Sequence, residues 1–532
     1  MTQATLAEPT QVAATGAAPP NSERWSARVF ALAVVVALPL ILWFGRDHWF
    51  YLDEWQILGA DGVTSLGYLD GHSGHWITLL RLEYRLNFEL WGLRSYLPYQ
   101  LPAVLGHLAA AVLLRQVIRR CGVRGWIATA VALAFLFFGS GRENMTLGFQ
   151  ISLTGSLICG FAMLLLADGP KSVTRRDWLA LAIGVVGLMT SSVFVAVVVG
   201  FGMTTLLRRG VRIAAFYALS LGAIYLPWYV AYGRDSAAPI EVNGQTFRFL
   251  GSMLWAVFDA LVQGGVGALL VVLVGVGLGT AVHRAWRAGI WAEAALPLGF
   301  CAAWLTYATL VALGRAQLPH ASGAAGRLVH ISAALVLPVV AMGIEELARR
   351  RTLLGVAALV PLAIGVPRNL DRLSETSILF RASPELASAI AHSPFADDVP
   401  ANVRPLQDNP FNPPATAGWL ARQAETDRIP EPDDPSPALD LQATSRLVLA
   451  QSVGASDQPA CPTLTDPLAV TLQAGDQIRF AGAIQVAVTE GTQESPPRRF
   501  LGNDRSVLLA HAGPVDVIVR GIPGAPARVC RP

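Results

Sequence analysis

Eleven apolar runs punctuate the first two thirds of this chain, at roughly 29–45, 97–114, 126–138, 149–167, 178–190, 192–207, 213–231, 263–282, 291–313, 328–344 and 352–366. About 20 apolar residues are enough for a helix to cross the hydrocarbon core of a bilayer. In lipid every backbone N–H and C=O must be satisfied within the segment, so such runs fold as helices. Composition agrees: of 532 residues 53% are hydrophobic and 14% charged, where a soluble protein carries about 25% charged. The sequence therefore predicts an all-α polytopic transmembrane bundle.

The arginines set its orientation. Lys171 is the only lysine, a compositional bias with no functional content. Arg115, Arg119, Arg120 and Arg124 share one loop; Lys171, Arg175 and Arg176 share another two spans later. Arg208, Arg209 and Arg212, then Arg284 and Arg287, then Arg349, Arg350 and Arg351 continue the alternation. This holds only if residues 178–207 cross twice, as a tight hairpin and not as one long span. Every second loop is then basic, as the positive-inside rule requires. The expectation is about eleven helices, N-terminus in the cytoplasm and C-terminus outside, in a bacterial cytoplasmic (inner) membrane. These arginines lie between apolar spans, so they speak for topology and against nucleic-acid binding.

Residues 1–28 read as a disordered cytoplasmic N-terminus ahead of a retained signal anchor, since Gly45-Arg46-Asp47-His48 is a poor cleavage site. Residues 29–366 form the membrane domain, with a long first outer loop at 46–96. Within that loop Arg81–Trp91 has the period of an interfacial amphipathic helix, as does Phe247–Leu261 further on. Residues 367–445 are a linker or irregular cap, rich in Pro, Asp and Asn over 395–440. From about 446 to 532 short β-branched runs (468–473, 477–480, 484–488, 506–510 and 515–519) predict a small β-sandwich. Cys461 and Cys530 bracket it, and an extracytoplasmic compartment permits a disulfide between them.

Polar residues concentrate on the outward loops. Asp53-Glu54 directly follows the first span, flanked by Trp49, Tyr51 and Trp55, whose rings favour the membrane–water layer. Carboxylates there escape full burial in lipid yet reach a headgroup. His72 and His75, in Gly-His-Ser-Gly-His-Trp, have the i, i+3 spacing that would set both rings on one helical face, for a metal or a phosphate. Arg142-Glu143-Asn144 sits in a loop of about ten residues ending near Gln150, where burial without partners is costly. Arg315 and Arg327 flank a loop containing His320, with His330 just inside the next helix. Guanidinium groups grip phosphate bidentately. Each set also has a structural reading: a helix cap, an interfacial loop, an Arg142–Glu143 pair, a salt bridge to the first loop.

Together these features resemble the GT-C class of membrane glycosyltransferases. Leu52-Asp53-Glu54-Trp55 looks like that class's acidic motif after the first helix, and the long first outer loop and soluble C-terminal domain fit its layout. Gly141–Gln150 and Leu313-Gly-Arg315…Gly-Arg327 resemble segments of bacterial membrane proteins placed near the class, although Leu328 stands where an aromatic residue tends to follow the second arginine. The resemblance implies a polyprenyl-phosphate sugar donor, an envelope glycan or lipid acceptor, Asp53 or Glu54 as general base, and outward arginines on the donor phosphate. His75, Arg142 and Glu143 join Arg315 and Arg327 as candidate binding residues. No cofactor is required, although Asp53, Glu54 and His75 would be the ligands of a divalent cation. Two other readings stand beside this one: a transporter or flippase of envelope lipids, and a membrane scaffold presenting the β-domain.

Overall fold

The computed structural model describes residues 21–530 apart from 52, 59–66, 264, 320, 376–383, 407–414, 434 and 455–460. Leu52 and His320 thus lie outside the described residues. All eleven apolar runs are helices. They are α1 (Asn21–Phe44), α4 (Leu97–Arg120), α5 (Gly125–Leu136), α7 (Ile151–Leu166), α8 (Arg175–Leu188), α9 (Phe194–Arg209), α10 (Val211–Trp228), α12 (Gly267–Ala288), α13 (Ala295–Arg315), α14 (Gly326–Arg350) and α15 (Thr352–Ser374). Among the described residues eight helical segments are long and apolar enough to cross a membrane, and a ninth follows if α5 and the Gly139–Thr146 segment, bent by 42°, count as one. This is a multi-pass membrane protein. Helix α1 begins at Asn21, eight residues before its apolar run. Residues 178–207, which allowed one span or two, form α8 and α9 with a break at 189–193.

Helix α14 is the centre of the bundle: 94% of its apolar window is buried inside the protein, against 17% for α1. The basic loops gather at one end. Arg120 and Arg208 both pair with Asp168, Arg119 with Glu23, and Arg124 and Arg349 with Glu345. The opposite end carries the short α2 (Asp53–Leu58), the amphipathic α3 (Thr78–Trp91) and the turn α6 (Arg142–Thr146). Helix α11 (Gly244–Val262) lays Phe249, Met253, Val257 and Leu261 against the bundle along one face, the i, i+4 spacing of an amphipathic helix.

Beyond α15, helices α16 (Pro384–Ala391), α17 (Ala417–Glu425) and α18 (Pro437–Val448) form the cap. Trp419 of α17 stacks on Phe88 of α3 at 5.6 Å, and Arg428 and Arg94 pair with Glu89 and Asp427 across the same contact. The terminal strands are β1 (Leu449–Val453), β2 (Leu468–Leu472), β3 (Gln477–Glu490), β4 (Gln493–Glu494), β5 (Arg498–Ala510), β6 (Val515–Gly521) and β7 (Arg528–Val529). Where the sequence predicts a sandwich, all seven belong to one antiparallel sheet, ordered β1-β5-β3-β6-β2, with β4 and β7 also on β3. The reason is β3: two runs expected as separate strands are one, joined through a bulge between Phe480 and Gly482, and this long central strand pairs with β5 on one side and β6 on the other, tying the strands into one sheet. Cys461 and Cys530 are disulfide-bonded with Cα atoms 4.9 Å apart.

Candidate functional site

Asp53 and Glu54 open α2, and the fold sends them to different surroundings. Glu54 is 2% exposed. Its Oε1 accepts from the hydroxyls of Tyr84 and of Tyr96, the latter at 2.7 Å, and its Oε2 accepts from the Tyr51 N–H at 2.8 Å. Burial pushes its carboxyl up to about 7, against the opposing pull of these donors and the Phe149 backbone. Asp53 keeps 42% of its side chain exposed and lies 3.4 Å from the His72 Nε2. Burial alone would raise its carboxyl. The His72 ring and the nearby Arg327 and Arg315 outweigh that and hold it below the ordinary value.

His72 and His75 are not on a helix. They pair through backbone bonds of 3.0 and 2.9 Å across a two-residue turn, Ser73-Gly74, in which both residues have positive φ (51° and 77°). Such a turn closes a hairpin and sets its two flanking residues side by side. The i, i+3 spacing thus brings the histidines together by a route other than the helical one expected. Residues at the α8–α9 break anchor this hairpin: Ser192 Oγ donates to the Gly74 carbonyl at 2.7 Å, and Ser191 Oγ lies 3.2 Å from His75 Nδ1. Burial first, then Arg315, depresses the His75 imidazole, which is therefore neutral.

Arg315 ends α13 and Arg327 starts α14. Neither guanidinium has a hydrogen bond or ion pair among the described residues, and the buried Nε of Arg327 lacks a partner. Arg142 differs: it ion-pairs with Glu375 at 2.8 Å and donates to the Arg372 carbonyl, and it forms no pair with Glu143. A salt bridge from Arg315 or Arg327 to the first loop, the alternative structural reading, is not present among the described residues.

Two cavities flank these groups. One of 580 Å³ is mostly apolar, walled by Val193, Ala196, Leu310 and Val311, with His75, Tyr307 and Arg315 also in its lining. The Tyr307 hydroxyl is buried and unpartnered, close to both arginines. The sequence reading missed it because a tyrosine inside an apolar run carries no signal of its own. The other cavity, of 610 Å³, is polar, with Ser140, Glu143, Asp259, Gln263 and Trp255 in its wall. Among the described residues no cluster of three or more His, Cys, Asp or Glu side chains has the arrangement of a metal site. Of the three candidate ligands, Glu54 has both oxygens committed to protein donors.

No family model matches the chain, and no curated relative does. Among solved structures it is similar to the crystal structure of ArnT from Cupriavidus metallidurans bound to undecaprenyl phosphate. Identity is 14% and the TM-score 0.47, over 91% of this chain and 99% of that one.

Proposed function

We propose that the chain is an integral membrane glycosyltransferase. It transfers a sugar from a polyprenyl-phosphate donor to a hydroxyl of an envelope glycan or lipid on the outer face of the cytoplasmic membrane, with inversion. The observation that carries the reading is two arginines without hydrogen-bond or ion-pair partners for their side chains among the described residues, Arg315 in the wall of an apolar cavity and both close enough to act electrostatically on Asp53. An unpaired guanidinium held against lipid is costly unless an anion completes it. The apolar walls suit the first isoprene units, and Arg315, Arg327 and the Tyr307 hydroxyl suit the phosphate. The end bearing the site lies opposite the basic loops, which the positive-inside rule puts in the cytoplasm.

Asp53 then accepts the acceptor hydroxyl's proton as its oxygen attacks the anomeric carbon. The bond from that carbon to the phosphate oxygen breaks, and the phosphate takes the electron pair under the two arginines. These cations supply the charge stabilisation, so the proposal needs no metal. The polar cavity suits the acceptor glycan, whose hydroxyls match its mixed donors and acceptors and whose rings match Trp255. A flippase would need charged groups along the membrane depth, and here the two unpaired arginines sit together at one end, Arg315 at the end of α13 and Arg327 at the start of α14.

The test is complementation. Wild type, Asp53→Asn and Glu54→Gln are expressed in a deletion strain and the envelope glycans profiled by mass spectrometry. Wild type restores a missing sugar, and stably expressed Asp53→Asn does not. Full restoration by Asp53→Asn would overturn the assignment.

A further inference from the structure

Two imidazoles meet in the middle of the bundle. His107 of α4 and His330 of α14 are both 0% exposed, and His107 Nδ1 lies 3.1 Å from His330 Nε2. His107 Nε2 is 3.0 Å from the Leu136 carbonyl. On the other side Asn144 Nδ2 is 3.3 Å from His330 Nδ1 and donates to the Arg327 carbonyl at 3.0 Å. Both ends of this chain are carbonyls, which only accept. Leu136 therefore requires a proton on His107 Nε2. His107 Nδ1 then accepts, so His330 Nε2 carries the next proton. His330 Nδ1 accepts in turn from the Asn144 amide, whose second N–H goes to Arg327. With both rings neutral, the four ring nitrogens and both Asn144 N–H groups are assigned by their neighbours, while Asn144 Oδ1 is buried without a partner.

The segments joined this way also interlock sterically. A Cβ on Gly141 would fall 2.6 Å from His330 Cδ2, and one on Gly326 would fall 2.6 Å from the Ser140 carbonyl oxygen. Arg327 needs such support. Its Nε is buried without a partner, and like-charged Arg315 repels its guanidinium. With no hydrogen bond to its side chain among the described residues, its direction depends on where the first turn of α14 sits.

We propose that His330 and Asn144 are positioning residues for Arg327, with His107 serving only to fix the His330 tautomer: they lock the first turn of α14 against α6 and so aim the guanidinium that receives the donor phosphate. This rests on the phosphate reading of Arg327.

The test measures the affinity of a polyprenyl monophosphate for the full-length protein in nanodiscs. His330→Gln keeps a donor toward His107 but offers nothing to Asn144, and should weaken binding about tenfold. His330→Asn places an amide oxygen where Nδ1 was and should bind within about twofold of wild type. The double variant Arg327→Ala/His330→Gln should bind no worse than Arg327→Ala alone. Should His330→Gln not fold, Asn144→Ala cuts the same link from the other side. Unchanged affinity in His330→Gln while Arg327→Ala binds weakly, no rescue by His330→Asn, or additive losses in the double variant would each overturn the proposal. If Arg327→Ala itself binds as wild type does, the phosphate reading of that residue fails and the positioning role falls with it.

Discussion

Because Asp53 and Glu54 are successive on the short helix α2, their side chains leave the axis about 100° apart. One enters the core of tyrosines; the other faces the electropositive pocket. The pair was legible in the sequence, but the division of labour was not, because Tyr84 and Tyr96 reach Glu54 from 30 and 42 residues away. The split makes a prediction about pH. Asp53 is held below the ordinary carboxylate value, so in the proposed role of general base it would stay ionised through the neutral and mildly acid range, and transfer should show no acid limb there. An acid limb near pH 7 would assign the base to Glu54. Stability should run the other way. The folded-state value of Glu54 is raised from 4.5 to about 7, so its contribution is complete below the unfolded value and is lost as pH rises through the folded one. That shift corresponds to about 3 kcal/mol. The melting temperature of wild type should therefore drop between these pH values, and Glu54→Gln, which does not titrate, should lack the drop.

At the scale of elements, each apolar run predicted a helix, because lipid leaves the backbone no other way to satisfy itself, while α11 and α3 were legible from amphipathic period instead. Ends and breaks were harder. The i, i+3 histidines read as helical because spacing alone does not reveal a turn with positive φ, although Ser73-Gly74 is a residue pair that tolerates one. That hairpin forms part of the apolar cavity, together with α9, α10 and α13. His107 was also readable in principle, since an ionisable side chain within an apolar run is expensive and points to a partner. Its partner, 223 residues away, was not. The cavity yields a prediction of its own. Leu310→Trp places an indole in its wall and should raise the Michaelis constant for a long-chain polyprenyl-phosphate sugar about tenfold, while a short-chain analogue that ends before the constriction is used as by wild type. Equal effects on both donors would mean that the chain tail lies elsewhere.

In the whole molecule, one apolar cluster runs from Trp49, Phe50 and Trp55 through Tyr84 and Phe88 to Trp419, Leu420 and the inner face of the β-sheet. Composition announced a separate soluble tail, but not that its cap would share a core with the first loop, since burial between distant segments leaves no local periodicity. This continuity gives the cap a mechanical role in the site. Trp419 stacks on Phe88 of α3, α3 carries Tyr84, and Tyr84 holds Glu54 next to Asp53. Trp→Ala at a buried contact costs about 3–5 kcal/mol. Much of that loss would fall on the docking of the cap, because the transmembrane helices make their contacts elsewhere. Trp419→Ala should therefore leave the bundle folded but speed hydrogen exchange in α3 and α17, and it should lower kcat more than donor affinity, because Arg315 and Arg327 stay in place while the loop bearing Asp53 loosens. Exchange rates in α3 matching wild type, together with an unchanged kcat, would show that the cap rests on the first loop without bracing it.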